Sequence, residues 1–92
     1  MYLYLMACKR IGLTKIGISI NPQRRLKTLN IRDKGIELLK TIKCKDAKKL
    51  ERSLHRQFEN QRVWQSELPT NEWFILDKIQ VMLLCLSLGV RQ

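Results

Sequence analysis

YLYLMACKRIGLTKIGISINP, residues 2–22, decides the fold. Two apolar stretches, 2–8 and 13–20, flank Lys9, Arg10, Ile11 and Gly12, which make a turn. The first stretch is short and carries two tyrosines. The second alternates through Thr14, Lys15, Ile16, Gly17, Ile18 and Ser19. Both read as strands, and the short connection makes them an antiparallel hairpin. Successive strand side chains point to opposite faces. Leu3, Leu5, Ile16 and Ile18 therefore share a core face, and Tyr2, Tyr4, Lys15, Gly17 and Ser19 share the other.

Beyond the hairpin the period changes. Asn21-Pro22 is a helix start, with Asn as N-cap and Pro at the first helical position. This helix is expected to end at Leu29 or Asn30, with Pro22, Leu26 and Leu29 along one side. At about 100° per residue, Arg25 flanks that stripe while Arg24 points well away from it. Arg32, Asp33, Lys34 and Gly35 form a connection. Residues 36–42 (IELLKTI) predict a third strand. Asp46 opens a longer helix, roughly 46–60, with Ala47, Leu50, Leu54 and Phe58 facing inward. Glu51 and His55, one turn apart, border that stripe. Lys45, Lys48, Lys49, Arg52 and Arg56 take the opposite side.

Residues 61–71 (QRVWQSELPTN) read as a polar loop and residues 72–76 (EWFIL) as a short extended segment. Asp77 caps a last helix over about 78–88, closed by Gly89. That helix is apolar nearly all round. It is therefore buried on two sides, or one side meets a second copy or a partner protein. The expected architecture is a single α/β (α+β) domain over residues 1–92. It has a small three-stranded, mainly antiparallel sheet flanked by helices.

With 92 residues, the chain has room for one modest core. Its formal charge is +10, and the charge is uneven: residues 1–60 carry fifteen Lys/Arg against five Asp/Glu, while residues 61–92 balance at three of each. A basic region of this kind is the footprint of a polyanion partner, here nucleic acid and DNA in the first instance. Cys8, Cys44 and Cys85 are far apart and form no CxxC, which argues against a disulfide scaffold or a zinc knuckle. Reduced thiols in an intracellular, cytoplasmic setting are the expectation. The first apolar run lacks the flanks of a signal peptide, and residues 79–90 are too short to span a bilayer. No membrane role is expected.

Tyr4, Lys15, Arg25 and Glu51 follow one another at spacings of eleven, ten and twenty-six residues, each on its own predicted element. A phenol, an ammonium, a guanidinium and a carboxylate facing one cleft can cut a phosphodiester. That reaction needs an in-line water, a base and cations for the developing charge. Glu51 can hold Mg²⁺, or Mn²⁺ in its place, as a single protein ligand, because such an ion keeps several waters. Arg25 can grip a nonbridging phosphate oxygen through its planar fork. Tyr4 can act on the water, and Lys15 nearby favours the phenolate. His55 either orients its neighbours, moves a proton or touches the metal. Arg24, Lys27, Lys48, Lys49, Arg52 and Arg56 are the expected phosphate contacts, giving salt-sensitive, sequence-blind affinity.

Tyr2-Leu3-Tyr4, then KIGIS (15–19), NP (21–22) and RRLK (24–27), then LERSLH (50–55) and EWF (72–74), occur in an order that resembles the GIY-YIG nuclease superfamily. Within it, the pattern looks most like the small phage-type subgroup, also called meiotically up-regulated. The resemblance covers about residues 2–76. It implies a Mg²⁺-dependent endonuclease leaving 5′-phosphate and 3′-hydroxyl ends, with Arg25 and Glu51 as the helical arginine and glutamate. Tyr2 stands where the family has glycine, and Lys15 where it has the second tyrosine. Two other readings stay open: a basic nucleic-acid-binding module without catalysis, and a small protein-interaction factor.

Overall fold

The computed structural model describes residues 1–31, 35–64 and 72–90, with Val90 described by its backbone alone. The predicted connection at 32–34 and most of the predicted loop, 65–71, lie outside the described residues. The elements are β1 (Tyr2–Cys8), β2 (Leu13–Ser19), α1 (Pro22–Asn30), β3 (Ile36–Lys43), α2 (Ala47–Gln57), a 3-10 turn (Glu59–Gln61), β4 (Trp73–Phe74) and α3 (Lys78–Val90). The hairpin forms as its sequence dictates, with Cys8 opposite Leu13 and Tyr4 opposite Gly17. Gly12 closes its turn at φ 68°, a left-handed conformation that glycine adopts without penalty. Its N–H donates to the Cys8 carbonyl at 2.9 Å.

The sheet has four strands, not three, in the order β3-β1-β2-β4, and every pairing is antiparallel. The added strand is the two-residue β4, which pairs with Thr14 and Lys15 of β2. A bulge between Leu5 and Met6 shifts the β1–β3 register.

Both faces of the sheet are cores. Leu3, Leu5, Ile16, Ile42 and Phe74 pack with Leu54 and Phe58 and with Leu84 and Leu88 of α3. The opposite face, expected to be the functional one, is equally closed: Tyr4, Met6, Cys8, Leu13 and Trp73 pack with Leu29 and Ile36. Burial of a large apolar side chain is worth about 1.5–3 kcal/mol, so the second face also contributes to stability.

Local signals set the helix starts. The Asn21 side chain accepts from the Arg24 N–H at 3.1 Å, satisfying one of the orphan donors of α1. Asp77 and Gln80 cap α3 reciprocally, with Gln80 N–H to Asp77 Oδ1 at 2.7 Å and Asp77 N–H to Gln80 Oε1 at 3.0 Å. Helix ends departed from expectation. α2 stops at Gln57, where Phe58 leaves the helical region at φ −106° and a 3-10 turn follows. α3 runs through Gly89, where a Cβ would lie 3.4 Å from the Lys40 ammonium. Gly89 therefore admits a neighbour and does not end the helix. Ile79, Met82, Leu83 and Leu86 form an exposed stripe on α3, so the fold buries only one side of this helix.

Candidate active site

β4 covers only the first half of the outer edge of β2, and the site lies just beyond it. In an antiparallel strand both backbone groups of one residue point to the same side. At Ile16 that side is outward: its N–H donates to the Glu72 carbonyl at 3.2 Å, and its carbonyl accepts from His55 Nε2 at 2.8 Å. Side chains from the two sheet faces meet around this edge. Tyr4, Lys15 and Arg25 come from the α1 side, and Glu51 and His55 from α2.

Tyr4 is buried among Met6, Leu29 and Trp73. Its ring lies over Gly17, where a Cβ would stand 2.5 Å from the hydroxyl and 2.6 Å from Cζ. Only glycine leaves room for this phenol. Gly17→Ala should cost about 1–3 kcal/mol by overpacking, read as a lowered urea midpoint, and should displace the hydroxyl from Arg25. Gly17→Ala unfolding at the wild-type midpoint would show the close approach to be unimportant. The hydroxyl hydrogen-bonds the half-buried Arg25 side chain. Burial, against the lowering pull of Arg25, pushes the phenol up to about 12. Tyr4 is therefore protonated at neutral pH.

Lys15 is 0% exposed and forms a salt bridge to Glu72 through Nζ. Its ammonium lies 5.9 Å from the Tyr4 and Trp73 ring centroids. Burial draws the amine below the ordinary lysine range, and the Glu72 carboxylate draws it back up. Arg25 is the cation that lowers the phenol, while Glu72 raises it. The positive charge of Lys15 is already committed to Glu72.

Glu51 is half-buried, and its carboxyl is raised by burial, then by the Glu72 charge, and lowered by His55, Lys15 and Arg62. His55 uses both ring nitrogens. With the proton on Nε2, it donates to Ile16 and accepts from Arg62 Nη2 on Nδ1 at 2.8 Å. One tautomer satisfies both contacts, so the ring is held as an orienting group. Arg25 and Glu51 each act electrostatically on both Tyr4 and Lys15, and His55 joins the group through Glu51. Two residues without an expected role join them: Glu72, from the EWF stretch, and Arg62, from the predicted loop. A lone carboxylate just before a buried Trp-Phe pair was the available signal for Glu72; nothing in the sequence singled out Arg62.

Arg24, Lys27, Lys48, Lys49, Arg52 and Arg56 are all exposed. Arg24 and Arg25 divide as the helical phase requires, with only Arg25 turned to the sheet. Among the described residues no group of three or more His, Cys, Asp or Glu side chains gathers as a metal site. Glu51, its carboxyl raised first by burial and then by Glu72, is the residue that could hold a strongly hydrated cation such as Mg²⁺ as a single protein ligand. Cys8, Cys44 and Cys85 form no disulfide among the described residues. No helix among the described residues is long and apolar enough to cross a membrane.

A family model, that of the T5orf172 domain, matches residues 1–86. No curated protein sequence and no solved structure matches the chain.

Proposed function

The chain belongs to the T5orf172 domain family, and from that premise we propose that it is a metal-dependent endonuclease of the GIY-YIG type, hydrolysing DNA phosphodiester bonds with water as the nucleophile. The observation that carries this reading is the meeting of Tyr4, Lys15, Arg25 and Glu51 at one sheet edge in a chain of net charge +10. The kinship of the family with phage endonuclease-type domains supports it.

In this reading the exposed Arg24, Lys27, Lys48, Lys49, Arg52 and Arg56 hold backbone phosphates. Arg25 donates to a nonbridging oxygen of the scissile phosphate and stabilises its growing charge. Held by Glu51, Mg²⁺ or Mn²⁺ would supply Lewis-acid stabilisation of the departing oxygen. Tyr4 acts as phenolate: it first gives its own proton to solvent, and the phenolate oxygen then takes the proton of the attacking water, so cutting rises with pH. The Tyr4 hydroxyl already bonds a cation, Arg25, whereas both nitrogens of His55 are occupied. His55 positions Arg62 and the α2 backbone against β2. Lys15 and Glu72 close the floor behind the phenol.

A second reading has a specific observation in its favour: a phenol at about 12 and a lysine locked to Glu72 describe a resting site with no ready base. On that reading the chain binds nucleic acid without cutting it. Nicking of supercoiled plasmid separates the two. The expected result is no nicking in EDTA and nicking restored by Mg²⁺ or Mn²⁺. Salt-sensitive binding with no nicking in either metal would select the binding module.

A further inference from the structure

Trp64 is the exposed aromatic among the described residues, 57% accessible, whereas Trp73 is 0% accessible. The chain around it runs alongside β4. Val63 N–H donates to the Trp73 carbonyl and Ile75 N–H to the Gln61 carbonyl, both at 2.8 Å, and Arg62 bridges to Phe74. Extended alternation then sends Val63 into the core beside Tyr4, Met6 and Trp73, and sets Arg62 and Trp64 together on the other side.

The Arg62 guanidinium lies between two rings, 4.7 Å from the Trp64 centroid and 5.4 Å from that of Phe74. The same guanidinium donates to His55 Nδ1, and its charge acts on Glu51. Trp64 is thus tied, through one cation, to the rim of the cleft. A guanidinium supports the indole, and the residue stays largely open to water.

An indole fixed by a cation and open to solvent is a platform for another planar ring. The charge of the chain selects the kind of molecule that brings one: a polyanion bearing bases. Paired bases inside a duplex present their edges and hide their faces. We propose that Trp64, held by Arg62, stacks an unpaired nucleobase of the strand whose backbone enters the Arg25–Glu51 cleft. Substrates with a flap, a bulge, a frayed end or a single-stranded stretch fit this site better than an intact duplex. The inference rests on reading the cleft as a nucleic-acid site.

The test uses the whole chain in EDTA, a labelled short oligothymidine strand, and an abasic strand of equal length that keeps the phosphates and lacks the bases. Anisotropy reads binding, and tryptophan emission reads stacking at Trp64. Oligothymidine should quench the emission, and the abasic strand should bind more weakly without quenching. Trp64→Ala should weaken oligothymidine binding by about tenfold and leave abasic binding unchanged. Trp64→Phe should restore most of the affinity while abolishing the quench, since only the buried Trp73 then emits. Equal affinity of wild type and Trp64→Ala for oligothymidine, or binding without quenching, overturns the stacking site and leaves the nuclease reading intact. Failure of both strands to bind overturns both. Quenching in a protein that never nicks plasmid upholds the stacking site and removes only the enzyme.

Discussion

Replacing Glu51 with Gln should lower plasmid nicking by at least about a hundredfold to a thousandfold while leaving DNA affinity equal or higher. The substitution is nearly isosteric, so the packing of α2 against Leu3, Leu5 and Ile16 is kept. What changes is charge. Glu51 is a half-buried carboxylate with a second one, Glu72, acting against it. Removing its charge relieves that repulsion, so the variant should unfold at the wild-type denaturant midpoint or above it. It also removes an anion from a surface that approaches a polyanion, which strengthens binding at low salt. Loss of cutting together with retained binding is the signature of a group that acts on the reaction alone. Nicking and anisotropy measured on the same preparation decide the matter. Cutting by Glu51→Gln at the wild-type rate would remove Glu51 from the chemistry and the metal with it.

The parts of the site that were legible in the sequence are those with a local anchor. Asn21-Pro22 fixes the start of α1, so the rotation of Arg24 and Arg25 follows by counting. Strand alternation puts Tyr4 on the same face as Lys15, and the Ala47-Leu50-Leu54-Phe58 stripe puts Glu51 and His55 on its border. The illegible parts are those set by contacts far along the chain. Lys15 and Glu72 are 57 residues apart, and nothing local to either announces the pair. β4 has two residues, too few for alternation to reveal. With Trp73 packed in one cluster with Tyr4, the face expected to be the functional one becomes a second core, and this changes the chemistry. A phenol in water and a buried phenol differ in proton affinity, the latter pushed up to about 12 here, and only the tertiary fold says which one Tyr4 is. The polar appearance of residues 61–64 hid Arg62 for the same reason: its role comes from lying between Phe74 and Trp64.

Arg25→Ala should cost several kcal/mol of transition-state stabilisation, about a hundredfold or more in kcat/KM, and Arg24→Ala much less. The two residues are adjacent and chemically identical, so the comparison isolates direction. The Arg24 side chain is exposed, and its backbone N–H serves the Asn21 cap whatever the side chain. Its loss should weaken DNA binding slightly and uniformly, and lower the salt dependence by about one phosphate contact. Arg25 is half-buried and bonded to the Tyr4 hydroxyl. Its removal does two things at once. It takes the fork from the scissile phosphate, and it takes from Tyr4 the cation that opposes the effect of burial. The second loss adds to the first: nicking should climb with pH up to the limit of plasmid stability in wild type and in Arg24→Ala, and should lie lower at every pH in Arg25→Ala. Arg25→Lys should rescue little, because a point charge on a flexible stem does not reproduce the planar fork. Equal losses in the two alanine variants would mean that neither arginine is directed at the reaction, and that the cleft at the β2 edge is only a place where DNA rests.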